Sequence, residues 1–560
     1  MKLLINSIPD DFDPKRHIPI GLHCFAGREH IYSELDKIDF LKLDLNNDEL
    51  HEVDELTAIE ALRLVKIIAQ KHHGEKYFAH SFRFWQIIYY PVIAIIVQSV
   101  YARQLLLEKH IEFYKDKKIE VDIAHGNTVF SCPDDEAVVN AISSVQFSAW
   151  IYSMMIENRM HESSWSLNKV GTGDEKFTYQ FEMAKPNEWK HRIIEKLRIK
   201  YVYGFNAFDL LFFNLLTFRK VKTKPLPRKN YSEISNQPHV IWHTDIEFFL
   251  DMIIPHQYSQ VLSSNFKTKQ RLFDFSNVLF FDLNAKIQAA YATENGNTIL
   301  SNQHGGHNYG SATTFEFNRY IEYDCDYHIS WGPTEYVEDV NAIFIPLPSP
   351  LLSKSLDKHE NRSGRLIWIG TALQITPIRM EYLFWNHAHN YRDVKKDVFS
   401  TLSQTNLWDS FFYRPYPRNE ERYLSDEKFY KDNIPSLKIL PGDLHTEVMH
   451  CNLLILDHPG TTWNIAMAMN TPLLLFWDKT WFPLNDNADS YLERFRELGI
   501  FFDDPYEMKD HIVKLYEEYT DFSQWWSNPE IQSLRKEWML KYALADNRWR
   551  NKWVKSYLNF

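Results

Sequence analysis

Short, unbroken apolar runs recur through the second half of this chain. They are Leu366-Ile367-Trp368-Ile369, Phe411-Phe412-Tyr413, Leu453-Leu454-Ile455-Leu456 and Leu473-Leu474-Leu475-Phe476-Trp477. None alternates apolar with polar positions, so each predicts a strand covered on both faces, as parallel strands are. Helical stretches between them predict right-handed crossovers and a doubly wound sheet. The first half mixes strands with long helices. Residues 3–5 read as a strand and 21–28 as the loop after it. Apolar spacing predicts helices over 56–72, 82–110, 134–158, 189–198 and 205–218. Further strands are expected at 240–242, 278–281, 298–300 and 327–331. The basic stretch 219–229 reads as a surface connector, and the Trp-rich residues 522–560 as helical.

The fold class that follows is α/β. A domain change is expected near 336–347, and 560 residues are enough for two to four domains. Composition adds limits. At 44% hydrophobic and 24% charged, the chain has the make-up of a soluble globular protein. A net charge of -12 argues against a general nucleic-acid binder. Cys24, Cys132, Cys325 and Cys451 lie far apart, which argues against a disulfide framework or a zinc knuckle. The first residues carry too short an apolar run for a signal peptide. The most apolar stretch, 87–100, is shorter than a membrane span and contains Pro91 and Gln98, so it reads as a buried helix. A cytoplasmic location is expected.

Two segments carry candidate chemistry. Asp457-His458-Pro459-Gly460-Thr461-Thr462 stands between a strand and a short helix. A helix N-terminus at the carboxyl end of a parallel strand offers N–H groups and positive dipole to a phosphate. Thr461, Thr462 and His458 add side-chain donors. The plainer alternative is a turn with a threonine N-cap. The second segment is Gln303-His304-Gly305-Gly306-His307-Asn308-Tyr309-Gly310, directly after a strand. Its glycines allow a ligand close to the backbone, though a glycine-rich hairpin would read the same way. Arg414, at a strand end, is placed either to clamp a phosphate or to make a surface ion pair. The candidates for a general base are His304, Asp245, Asp282 and Glu316, with His23 and Glu29 behind them. No third ligand completes a metal site around His304 and His307, and Asp324-Cys325-Asp326 is not read as one; no metal is expected.

The chain resembles the LIC12162-type family of surface-carbohydrate transferases. The resemblance covers most of its length. Its carriers are Gln303-His304-Gly305-Gly306 with Tyr309-Gly310, Ser330-Trp331-Gly332, Arg414-Pro415-Tyr416-Pro417 and Thr461-Thr462-Trp463 with Ala468-Met469-Asn470-Thr471-Pro472. Phe476-Trp477, Gly499-Ile500-Phe501, Trp525-Trp526 and Tyr101-x-Arg103 fit the same pattern. The resemblance implies a GT-B-like fold of two facing Rossmann-like domains. Residues 1–336 would form an acceptor-side domain with helical insertions, 337–521 a donor-nucleotide domain, and 522–560 helices returning to the first domain. It implies an inverting, metal-independent glycosyltransferase that needs no cofactor beyond its nucleotide-sugar donor. By analogy with O-antigen, capsule and flagellin glycosylation, the donor would be a CMP-linked nonulosonic acid of pseudaminic or legionaminic type, or Kdo. The acceptor would be a surface glycan or flagellin, met at the inner membrane's edge. His458-Pro459 resembles the His-Pro element of bacterial sialyl- and Kdo-type transferases. That likeness carries over donor binding to His458, Pro459, Gly460, Thr461 and Thr462, with Arg414, Gln303, Gly305 and Gly306 in support. The chain departs from the family where a carboxylate usually follows the Thr-Thr pair, because here the stretch is Asn464-Ile465-Ala466. The rival readings are a nucleotide-sugar epimerase or polyol-phosphate transferase on the same fold, or a non-catalytic glycan- or nucleotide-binding subunit.

Overall fold

The computed structural model describes residues 1–28, 35, 38, 40–124, 128–159, 164–170, 175–178, isolated positions between 208 and 231, 237–263, 272–275, 277–280, 282–306, 318–334, 340–380, 383–416, 422–424 and 426–559. Every pairing between its strands is parallel. In chain order the strands are β1 (Lys2–Leu4), β2 (His17–Pro19), β3 (Glu120–Ala124), β4 (Thr128–Ser131), β5 (Ser166–Val170), β6 (Glu175–Thr178), β7 (Leu272–Phe275), β8 (Thr298–Asn302), β9 (Tyr327–Ser330), β10 (Ile343–Pro346), β11 (Leu366–Ile369), β12 (Phe411–Arg414), β13 (Leu453–Leu456), β14 (Leu473–Phe476) and β15 (Phe501–Phe502). The α/β class read from the pattern is therefore the one observed.

The second half forms one five-stranded sheet in the order β12-β11-β13-β14-β15. All four residues of β11, β13 and β14 are buried, which is why these runs carry no polar alternation. β12 lies at the edge and alternates buried with half-buried positions. The chain steps from β11 outward to β12, then back past β11 to β13. The strand order thus reverses between β11 and β13, and at such a switch point the loops part to leave a crevice at the carboxyl ends.

The first half holds two four-stranded sheets, β2-β1-β3-β5 and β10-β9-β8-β7, and a pair, β4-β6. Two expected strands moved. Residues 240–242 are irregular, with Val240 buried, Ile241 84% exposed and the Trp242 indole bonded to Glu60 at 2.9 Å. The run at 278–281 includes a 3-10 turn, Asn277–Phe280, and the strand lies earlier at β7. Three apolar residues in a row signal burial without fixing the backbone state. The expected helix at 189–198 lies outside the described residues, as does most of 205–218.

Helix Phe82–Tyr114 is long and apolar enough to cross a membrane by length and composition, yet 94% of its most apolar stretch is buried inside the molecule. Its polar residues have partners. Arg103 donates to the carbonyls of Ser99, Ile142 and Pro377 and to Ser148 Oγ. Burial lowers this guanidinium to about 10. Gln98 and Ser99 reach the 377–380 loop of the second half through Met380 N and Pro377 O. All four cysteines are buried and unpaired.

The tail ties the halves together. Trp538 of helix Pro529–Tyr542 stacks on Trp463 of helix Thr461–Met469 at 4.0 Å and 16°. Such a pair contributes about 0.5–1.5 kcal/mol beyond its buried area. Arg535 donates to the Met467 carbonyl at 2.7 Å, placing a cation at that helix's negative end. Further on, Trp549, Trp553 and Tyr557 of the last helix pack with Leu300, Ile329 and Leu347 of the β7–β10 sheet. Gly332 marks the crossing: its φ is 137°, and a Cβ there would stand 2.6 Å from the Lys541 carbonyl.

Candidate functional site

The crevice at the β11–β13 switch point is built on Asp457, the residue after β13. Asp457 is fully buried. Lys395 Nζ lies 3.0 Å from Oδ2, and Trp368 Nε1 donates to the same oxygen at 3.0 Å. Thr371 N donates to Oδ1 at 2.7 Å. Burial alone would raise this carboxyl, but Lys395 and His458 outweigh it and hold Asp457 below the usual range. The neighbouring Asp426 is also buried and is raised by burial. It accepts from the Tyr413 hydroxyl, so one acid of the pair is held ionised and the other is pushed toward neutral. Lys395 was missed by the sequence reading. Its signal is a cation on the apolar face of helix Ala388–Leu402, in step with Tyr391, Val398 and Phe399.

Asp457 also holds the next residue. His458 Nδ1 lies 3.2 Å from Asp457 Oδ1. The imidazole sits over Gly460, whose Cβ, if present, would lie 3.0 Å from Nε2. Gly460 has an extended φ of -164°, so it is a glycine for space and not for conformation. It is the N-cap of helix Thr461–Met469, and as a glycine it supplies no side-chain cap of its own. The threonine N-cap alternative is therefore not what forms. Thr461 and Thr462 are the first two helical residues, half-buried at the rim.

The glycine-rich loop meets this turn directly. Gly306 N donates to Thr461 Oγ1 at 3.1 Å, joining segments 155 residues apart. Gly306 follows β8, so the carboxyl ends of the β7–β10 and β11–β15 sheets face each other here. Gln303 shapes the loop: its Nε2 donates to the Gly305 carbonyl at 2.6 Å and its Oε1 accepts from Trp331 N at 2.6 Å. Its amide is thus engaged by backbone. His304 Nδ1 lies 3.1 Å from Glu322 Oε1, with the glutamate side chain only 2% exposed. Glu322 was not singled out in the sequence. Its signal was a carboxylate in the otherwise apolar stretch Tyr320-Ile321-Glu322-Tyr323.

Other candidates fall elsewhere. Asp245 and Asp282 are exposed N-caps, accepting from Phe248 N and from Asn284 N and Ala285 N. Arg414 lies at the end of edge strand β12 and donates to the Gly442 carbonyl at 2.9 Å. His23 is buried against Tyr152, and burial lowers it to about 3, so it stays neutral. Glu316, Glu29, His307, Asn308, Tyr309 and Gly310 lie outside the described residues. Asp324 bonds Arg83 and Asn341, and Asp326 accepts from Ile299 N and Leu226 N. Among the described residues no group of three or more His, Cys, Asp or Glu is placed to hold a metal.

Asn464, the first residue of the carboxylate-free stretch Asn464-Ile465-Ala466, faces the tail. Its Nδ2 donates to the Tyr542 carbonyl at 3.3 Å and its Oδ1 accepts from Trp538 Nε1 at 3.2 Å. An amide serves both bonds, whereas a carboxylate would face the Tyr542 oxygen with no proton to give.

A family model described as LIC12162 family transferase matches residues 1–557. No curated protein matches the chain. Among solved structures the chain is similar to an S. aureus MnaA–UDP co-structure, at 10% identity and a TM-score of 0.32, covering 78% of this chain and 97% of the other. It is similar to Acinetobacter baumannii MurG at 10% identity and 0.31, covering 78% and 99%. It is also similar to α,α-trehalose 6-phosphate synthase from Burkholderia multivorans at 10% identity and 0.33, covering 79% and 98%.

Proposed function

The chain belongs to the LIC12162 family of transferases, and on that premise we propose that it is an inverting, metal-independent glycosyltransferase of GT-B-like design. The single observation that carries the reading is the Gly306–Thr461 contact, which brings a base-bearing loop and a phosphate-type turn to one crevice. In the proposed reaction His304 takes the proton of the acceptor hydroxyl. The hydroxyl oxygen then bonds to the anomeric carbon. The bond from that carbon to the donor phosphate oxygen breaks, and its electron pair leaves with the phosphate. The start of helix Thr461–Met469, with the hydroxyls of Thr461 and Thr462 and the His458 imidazole, meets that developing charge.

The donor we propose is a CMP-linked nonulosonic acid or Kdo, and the acceptor a surface glycan or flagellin. The His458-Pro459 element supports CMP, since Asp457 holds the His458 ring beside the helix start. The reaction is proposed to be cytoplasmic and to need no cofactor. Calorimetry with CMP, UDP and GDP tests the donor assignment: CMP is expected to bind most tightly, and no binding by any of the three would remove it. A donor-only assay separates transfer from epimerisation, because an epimerase turns over without an acceptor.

A further inference from the structure

Charge is spread unevenly along this chain. Residues 190–229 hold eleven lysines and arginines against two acids, Glu195 and Asp209, although the whole protein has a net charge of -12. Residues 547–560 hold four lysines and arginines and no acid. The fold brings these two stretches together. Arg550 Nε of the last helix, Trp549–Asn559, donates to Asp209 Oδ1 at 2.7 Å, and Lys354 Nζ lies 3.3 Å from Oδ2. Asp209 is only 2% exposed, so one of the two acids in the basic run is turned inward and neutralised. Further along, Leu226 N donates to Asp326 Oδ1 at 2.8 Å and ties the run to the first half.

The outer side of this junction is apolar. Phe208, Phe212 and Leu216 stand at helical positions four residues apart and are 71%, 41% and 38% exposed. The two phenyl rings stack at 6.3 Å and 10°. An open groove of about 320 Å³ runs between Phe212 and Leu216 on one side and Val554, Lys555 and Leu558 of the last helix on the other. Leu558 is itself 38% exposed, and Lys555 is exposed at the rim. In the chain this stripe is flanked by Lys196, Arg198 and Lys200 before it and by Arg219, Lys220 and Lys222 after it. Exposed rings grouped on one face mark a surface that something covers. Rings at helical spacing between cations suit a membrane surface, where the rings enter the acyl boundary and the cations meet anionic headgroups. A nucleic acid would use the cations and leave the phenylalanine and leucine side chains in water.

We propose that this face docks on an anionic lipid surface. Phe208, Phe212, Leu216 and Leu558 enter the boundary between headgroups and acyl chains, and the flanking positive charge draws the face to the lipid phosphates. The reading depends on neither the donor nor the reaction proposed above.

Vesicle binding by the full chain tests it. The probes are vesicles of phosphatidylcholine alone and vesicles with about 30% phosphatidylglycerol, whose negative surface potential attracts basic segments. The protein is expected to sediment with the anionic vesicles, about tenfold more tightly than with the neutral ones, and to be released as salt rises from about 0.1 to 0.5 M. The four native cysteines are buried, so Asn551→Cys places one exposed thiol at the groove for an environment-sensitive NBD dye. Its emission is expected to shift to the blue with anionic vesicles, while the same dye at Glu517→Cys, exposed on helix Pro505–Glu518, stays unchanged. Phe208→Glu with Leu558→Glu changes two exposed positions and is expected to weaken vesicle binding about tenfold with the melting temperature held. Failure to bind vesicles, equal binding to neutral ones, or binding without a shift at position 551 would each overturn the proposal. A shift at 551 with a short RNA or DNA duplex and none with vesicles would make the face a nucleic-acid site and overturn it too. None of these readouts needs a nucleotide or an acceptor, so their failure leaves the transferase reading standing, and failure of CMP to bind leaves this one.

Discussion

His304 and Glu322 form a buried-acid and imidazole pair, with Nδ1 3.1 Å from Oε1. A carboxylate beside an imidazole favours its protonated form, the form a general base reaches when it has taken a proton. His304→Ala should lower kcat by about 10²–10⁴, the usual worth of a general base, with donor affinity unchanged. Glu322→Gln should lower kcat less and leave KM where it was. Steady-state kinetics with calorimetry separates the two, and normal turnover in His304→Ala would make the loop purely structural.

Thr461→Ala combined with Thr462→Ala removes two hydroxyls from the proposed phosphate turn. Bonds to charged groups are worth about 1.5–3 kcal/mol, so nucleotide affinity should fall about 10- to 100-fold. The melting temperature should move by no more than a few degrees, because only the Gly306 contact is lost from the fold. Unchanged affinity would take this turn out of the donor site.

Two glycine substitutions should part company. Gly460→Ala meets His458 Nε2 at 3.0 Å but keeps an allowed backbone. It should displace the imidazole and weaken nucleotide binding in a folded protein. Gly332→Ala meets the Lys541 carbonyl at 2.6 Å with φ at 137°. It should lower thermal stability sharply, since backbone cannot swing aside as a ring can. Calorimetric melting of the two variants side by side decides this.

Acid should unfold the protein early. Burial lowers His23 and His389 to about 3 and His110 to about 4, against 6.5 in an unfolded chain. Between these values the unfolded state binds more protons than the folded one. The stability they give is therefore present above pH 6.5 and lost as pH falls toward their folded values. Each group costs about 1.4 kcal/mol per pH unit below that point, so the three together cost about 4 kcal/mol per pH unit. Asp457, held low by Lys395, adds its own loss only below its unfolded value near 3.8. Denaturant midpoints measured from pH 7 to 5 should show the drop, and a flat profile would contradict the burial of these rings.

Turnover should survive EDTA, as expected of a reaction that rests on helix, hydroxyl and imidazole donors alone. Loss of activity restored by a divalent cation would sink the metal-independent mechanism.

The sequence showed the second sheet plainly and the first half poorly. β11, β13 and β14 are buried on both faces, so their residues could be nothing but apolar, and the run marks the strand. β1 forms within one residue of the strand read at 3–5, but β2 and β15 span three and two residues and owe their pairing to neighbours that no local window reports. At the site, Thr461 and His304 were visible because turns demand special residues. Glu322 and Lys395 were not, because a buried ion is identified only by the partner that justifies it. Asp245 and Asp282 looked like candidate bases for the same reason that they are good helix caps: a short carboxylate beside the first helical residues.

The tail's course has a consequence for how the molecule is made. Residues 523–559 are synthesised after every strand of every sheet. Until they emerge, the helix beginning at Thr461 lacks Trp538 and Arg535 along its flank, and the β7–β10 sheet lacks the cover of Trp549, Trp553 and Tyr557. A nascent chain therefore waits with two open apolar faces, one on each half, and the same late segment closes both. A premature stop before Arg535 would release a protein with every strand made and neither half covered, and a stop between Tyr542 and Trp549 would leave only the β7–β10 sheet open.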